Sequence, residues 1–246
     1  MTESWIKPNW SVSARVHALS TTRVGGVSEG SFASLNLGAH VGDDPQSVAA
    51  NRQWLEEAAS LPAAPLWLEQ IHSAQVVEAG SVLAASNPPQ ADAVVARRPG
   101  QVCAIMTADC LPVLFSTSAG DQVAAAHAGW RGLAAGVLTA TVQALACAAS
   151  DVHCWLGPAI GPQAFEVGNE VREAFVSRQA QAVDCFSAKG ERWFCDLYAL
   201  ARLELQALGV QAISGGEYCT WSEPERFFSY RRDGQCGRMA SLIWLE

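Results

Sequence analysis

The stretch TADCLPVLFSTSAGDQVAAAHAGWRG, residues 107–132, contains two apolar runs joined by a Gly-Asp turn. Residues 111–116 and 122–127 are short, apolar and bounded by turn residues, which predicts strands buried on both faces. A chemically versatile residue stands at one end of each run. Cys110 precedes the first, and His127 closes the second. Gly129 and Gly132 then break the pattern, and an Ala-rich segment predicts a helix to about Ala149. A strand that ends in a Gly turn before a helix leaves backbone N–H groups free, and ligands are commonly held at such junctions.

Working outward, residues 12–19, 91–96 and 102–106 read as further strands. The segment 65–77 reads as strand, turn and strand, and RMASLIWLE at 238–246 as a final core strand. Asp44 before Pro45 predicts a capped helix to about Ala59. Asn169 predicts the cap of a helix over 170–179, and Asp196 the cap of one over 197–208. In the latter, Leu197, Leu200, Leu205 and Leu208 form a stripe that Gly209 ends. Residues 84–90, AASNPPQ, read as a surface loop. Many strands follow one another without intervening helices. This predicts an α+β fold, a mixed β-sheet layered with helices, as a single domain spanning 1–246.

Bulk composition excludes several classes. Half of the 246 residues are apolar and 16% are charged, which describes a packed domain and not a disordered chain. The net charge of −8, with no compensating Lys/Arg cluster, argues against a nucleic-acid-binding face. The most membrane-like stretch, residues 132–149, includes Gly132, Thr139, Thr141 and Gln143, so it reads as a buried helix and not a span. Eight cysteines without a C-x-x-C pair, behind an N-terminus (MTESWIKPNW) without an export pattern, predict reduced thiols in the cytoplasm. The expected partner is a small molecule, and the expected state is a monomer or homodimer.

The chain has five histidines. His72, in EQIHS, joins Cys110 and His127 as a third ligand-type residue at the end of a predicted element. Each alone also reads as an inert core thiol or a satisfied imidazole. If the three converge, they form a His-Cys-His set with an open fourth position, the pattern of a catalytic zinc. Asp109 beside the thiol reads either as a turn residue or as a proton relay and histidine orienter. Asn36, Arg52, Gln70, Arg131 and Arg231 are the candidate residues for binding substrate or phosphate. Nucleotide-cradling glycine motifs, H-E-x-x-H and G-x-S-x-G are absent.

SLNLGAHVGDDPQSVAANR, LEQIHSAQVV, ADAVVA, TADCLPVLFS, VAAAHAGWRGLAAGV, LGPAIGPQAFEVG and FFSYRRDGQCGRMASLIWL together resemble the bacterial YfiH-type, laccase-domain family. The family is also described as polyphenol-oxidase-like, purine nucleoside phosphorylase or peptidoglycan editing factor. The resemblance runs from about residue 20 to the C-terminus. It implies that His72, Cys110 and His127 bind one metal ion, zinc, with copper as the alternative. It implies phosphorolysis of purine nucleosides, including methylthioadenosine, and deamination of adenosine. A second implied role is editing of amino acids in peptidoglycan precursors, with Cys110 and a histidine as a hydrolytic pair; a third reading is a non-enzymatic small-molecule binder. Ser73 and Cys236 depart from the family pattern, which has Gly and Thr there. A multicopper centre would need more imidazoles than His17, His40 and His153 supply.

Overall fold

The computed structural model describes residues 5–81 and 87–246. Its centre is a six-stranded sheet in the spatial order Ala212–Gly215, Val152–Leu156, Leu111–Thr117, Val123–Ala128, Ala93–Ala96 and Val76–Glu78. The inner four strands pair antiparallel, and the two outermost strands pair parallel with their neighbours. A second, antiparallel sheet places Met239–Leu245 between Val16–Ser20 and Val102–Thr107.

Strand periodicity sorts the side chains into layers, because successive residues point to opposite faces. Leu111, Val113 and Phe115 face a core shared with the helices Val137–Ala144 and Leu197–Ala207. Leu114 and Ala125 face a second core between the two sheets, against Ile105 and Ile243. Ala104, Leu242 and Trp244, on the outer face of the smaller sheet, meet Leu55 of the helix Pro45–Ala58. The result is helix, sheet, sheet, helix, an α+β architecture. Burial on both faces accounts for the nearly unbroken apolar runs in the sequence.

The caps at Asp44 and Asp196 form as expected, accepting from the amides of Ser47 and Ala199 at 2.9 Å each. Other boundaries differ. The first strand is shorter than 12–19, at Val16–Ser20. Of 65–77 only Val76 and Val77 enter a strand, Val76–Glu78, while Leu66 and Glu69 make single bridges to Cys103 and Gln90. The helix expected from Gly132 to Ala149 is two helices, Trp130–Ala135 and Val137–Ala144. Gly136 between them adopts a left-handed φ of 88° and closes the first by donating to Gly132 and Leu133 carbonyls. Asn169 begins its helix and does not cap it, because Gly168 takes the extended cap position. Part of the loop read at 84–90, residues 84–86, lies outside the described residues, as do residues 1–4. All eight thiols are unpaired. Among the described residues no helix is long and apolar enough to cross a membrane.

Leu114 lies directly opposite Ala125 across the paired strands, a large side chain over a small one. Leu114→Ala is expected to lower unfolding free energy by about 2–5 kcal/mol in urea titrations. Ala125→Leu overpacks the same layer at a cost of about 1–3 kcal/mol. The double exchange conserves volume and should be milder than the sum of the two, whereas strict additivity would show that the pair does not pack.

Candidate metal centre

His127 lies near the end of Val123–Ala128, and its amide donates to the Asp92 carbonyl at 2.7 Å. Its Nδ1 lies 2.9 Å from Asp92 Oδ1. Asp92 is 0% exposed. Burial pushes its carboxyl pKa up, but hydrogen bonds from His127 and Ser73 outweigh this and hold it at about 2. The group is therefore a carboxylate that accepts from Nδ1–H, which leaves Nε2 of His127 free to act as a ligand.

The same carboxylate builds the turn that carries His72. Asp92 accepts from the amides of Ile71, His72 and Ser73 at 3.2, 2.9 and 2.6 Å, and from the Ser73 hydroxyl at 2.8 Å. His72 sits at φ 59°, a left-handed conformation uncommon for a residue with a side chain, and its amide bond to Asp92 helps hold it there. Ser73 adds its hydroxyl to this cradle.

Cys110 follows Asp109, also left-handed at φ 97°. Asp109 Oδ1 accepts from the Thr220 hydroxyl at 2.6 Å and Oδ2 from the Arg231 amide at 2.7 Å, so the carboxylate fastens a distant segment to this turn. The histidine-orienting carboxylate is Asp92, and Asp109 has no such bond. Cys110 Sγ lies 3.8 Å from His72 Nε2. One ligand atom each from His72, Cys110 and His127 falls within 4.8 Å of the other two, slightly looser than zinc ligands in contact with an ion. Gly129 makes this approach feasible: a Cβ there would lie 2.8 Å from Cys110 Sγ and 3.1 Å from His72 Cδ2. Burial raises the Cys110 thiol, but the neighbouring His127 and His72 lower it further, and His127 is raised in turn by Cys110 and Asp92. The pair favours thiolate and imidazolium when no metal is bound.

The cluster opens into a cavity of about 370 Å³. Two larger hollows, about 580 and 840 Å³, lie elsewhere, and among the described residues neither is lined by a set able to converge on a metal. Gln70, Asp109, Arg131 and Arg231 line the cavity. Gln70 uses both ends of its amide on the Met106 backbone, at 2.8 Å each. Arg131 lies over Trp130, and Arg231 over Phe165 with Nη1 on the Glu166 carbonyl. Asn36 and Arg52 do not line it. Asn36 is 0% exposed and ties Gly38, Asp43 and the Arg238 amide together. Arg52 donates Nε and Nη2 to the Leu37 carbonyl and stacks over Trp67. Sequence reasoning missed Asp92, Tyr230 and Arg238, and gave His40, which lines the cavity, no role of its own. A signal existed for Asp92: it is the one charged residue inside the apolar run 91–96, and a charge there needs partners.

Residues 17–246 match the family model described as multi-copper polyphenol oxidoreductase laccase. The chain is 54% identical over 245 residues to a purine nucleoside phosphorylase of Pseudomonas aeruginosa, covering 99% of each chain. It is likewise 54% identical over 240 residues to the purine nucleoside phosphorylase YfiH of Escherichia coli, covering 98% of each. The crystal structure of a Neisseria meningitidis protein superposes with a TM-score of 0.95 at 49% identity, covering 99% of both chains. With fold, ligand cluster and nearly the whole sequence in agreement, the chain belongs to the multi-copper polyphenol oxidoreductase laccase family of YfiH-type proteins.

Proposed function

We propose that this protein is a zinc-dependent purine nucleoside phosphorylase, with methylthioadenosine phosphorolysis and adenosine deamination as activities of the same pocket. The observation that carries this reading is the opening of the His72–Cys110–His127 cluster into a cavity walled by both aromatic rings and arginines. Relatives 54% identical over nearly their full length carry the phosphorylase name.

The donor set fits zinc. Two imidazoles and a thiolate supply three protein ligands, and the cavity side leaves a fourth position for water or substrate. The Asp92 bond fixes the His127 tautomer that coordination requires. A His₂Cys set also accepts copper, but a multicopper centre needs a further cluster of imidazoles. His17 is bonded to Glu246 and stacked on Trp244, and His153 is bonded to Ser118. Among the described residues no second set converges.

When bound, zinc supplies Lewis acidity that polarises an oxygen ligand. The chain's own residues do the rest. Trp130, Phe165 and Tyr230 offer flat faces for a purine, and the arginines offset the charge of phosphate. In phosphorolysis a phosphate oxygen bonds to the anomeric carbon as the glycosidic C–N bond breaks. The electron pair leaves with the base, which takes up a proton. The Asp109 bond to the Arg231 amide holds that arginine's segment against the ligand turn, so charge and ligand cluster keep a fixed spacing.

A second reading has one observation in its favour. The lowered thiol pKa of Cys110 beside His127 suits a Cys–His hydrolase acting on a peptidoglycan-precursor amide. The two readings exclude each other, because a thiolate coordinated to zinc is not free to attack a substrate carbonyl.

Zinc-loaded protein given inosine and phosphate is expected to release hypoxanthine and ribose 1-phosphate. Cys110→Ala or His72→Ala should cut that rate by about a hundredfold or more. Activity that persists in zinc-stripped protein and is abolished by iodoacetamide would instead establish the hydrolase. Zinc binding itself gives a separate readout. Asp92→Asn should weaken zinc about 10–100-fold in chelator competition. Gly129→Ala should lose stoichiometric zinc while keeping its far-UV circular dichroism, because the added methyl intrudes on the Cys110 sulfur; full zinc loading in that variant would refute the steric argument.

A further inference from the structure

Three arginines, Arg131, Arg231 and Arg238, line the cavity that the ligand cluster opens into. Among the described residues, the arginine ion pairs all belong to others: Arg97, Arg172, Arg192, Arg226 and Arg232. The one carboxylate on the cavity wall, Asp109, already has both oxygens engaged by Thr220 and the Arg231 amide. In a chain of net charge −8, three guanidiniums that make no ion pair among the described residues, gathered on one cavity wall, suit an anion.

The three differ in how they are held. The guanidinium carbons of Arg131 and Arg231 lie 4.5 and 5.2 Å from the ring centroids of Trp130 and Phe165, and that of Arg238 lies 6.0 Å from Tyr230. Arg238 is clamped from two segments. Its amide donates to Asn36 Oδ1 at 2.9 Å, and its Nη1 donates to the carbonyls of Cys236 and Gly237 at 2.8 and 3.0 Å. Its stem lies so close to Gly38 that a Cβ there would meet Arg238 Cγ at 2.8 Å. Among the described residues, its Nε and Nη2 make no hydrogen bond. His40, two residues beyond Gly38, lines the same cavity. Partial burial, then the charges of Arg238 and Arg52, hold its imidazole below the usual range.

We propose that Arg238 and His40 form the seat of inorganic phosphate in this cavity, Arg238 presenting its unused N–H donors and His40 a ring N–H. This rests on the phosphorolysis reading and names the residues that select its co-substrate. A guanidinium pinned at its stem and at one terminal nitrogen has lost little further freedom when it binds, so its remaining donors act as a prepared site. A lysine at this position would keep the charge but not replace that fork.

Calorimetric titration of zinc-loaded protein with inorganic phosphate tests the seat directly, alongside steady-state kinetics with inosine. Arg238→Gln should raise the dissociation constant and the KM for phosphate about tenfold or more. Zinc content should stay stoichiometric, and the KM for inosine should change far less. Arg238→Lys should recover only part of the affinity. His40→Gln, a change at an exposed residue, should weaken phosphate severalfold and gives a measurement independent of any folding defect at position 238. Phosphate binding unchanged in both Arg238→Gln and His40→Gln overturns the seat, even if wild-type phosphorolysis stands. Binding that is lost in the variants, from a wild type that makes no ribose 1-phosphate, supports the seat and overturns the reaction. A wild type that binds no phosphate overturns the seat outright.

Discussion

The carboxylate of Asp92 is the group on which the site depends. It carries a charge into a place without solvent access and is tolerated there because five N–H and O–H donors surround it. Those donors come from two parts of the chain that sequence places far apart, the 71–73 turn and the strand bearing His127. One anion thus sets the tautomer of one imidazole and the backbone conformation of the other. An apolar residue at this position would leave three consecutive amides without partners, and the turn would have no reason to adopt its left-handed shape.

The layered fold supplies the remaining constraints. Ala124, Ala125 and Ala126 are fully buried, each opposite a larger residue of the neighbouring strand, so the central sheet is thin where it passes between helices and the second sheet. The strand thereby delivers His127 from a rigid element and not from a loose loop, and Cys110 leads into the adjacent strand in the same sheet. Neighbouring strands bring their ends within one side chain's reach, and Gly129 removes the last obstruction between sulfur and imidazole.

How much of this was legible in the sequence depended on the range of the interactions involved. The runs 91–96, 102–106, 111–116 and 122–127 gave themselves away because doubly buried strands must be apolar throughout. Asp44-Pro45 and Asp196 marked helix starts because a cap is a local bond. The break at Gly136 was hidden in an Ala-rich run that reads equally well as one helix. The hairpin Phe186–Lys189 with Arg192–Cys195 went unread because much of it is solvent-facing and polar. His72, Cys110 and His127 were readable as residues at element ends. Arg238 and His40 were not readable as a pair, since only the completed fold lays residue 238 against residue 38.

The position of Met239–Leu245 also has a consequence in time. This strand is the middle of its sheet, and among the described residues Val16–Ser20 pairs with no other strand. During synthesis Val16–Ser20 must therefore wait for a partner made more than 200 residues later, roughly 10–45 s at ordinary translation rates. Over that interval the apolar faces of Val102–Thr107 and of the helix Pro45–Ala58 have only part of their core, and the sheet edge beside Val102–Thr107 stays open. Arg231 and Arg238 arrive with the same late segment, so two of the cavity's three arginines join it only as the fold closes. Nascent chains of this protein pass through a long window in which unpaired strand edges are open to misassociation and the cavity beside His72, Cys110 and His127 is incomplete.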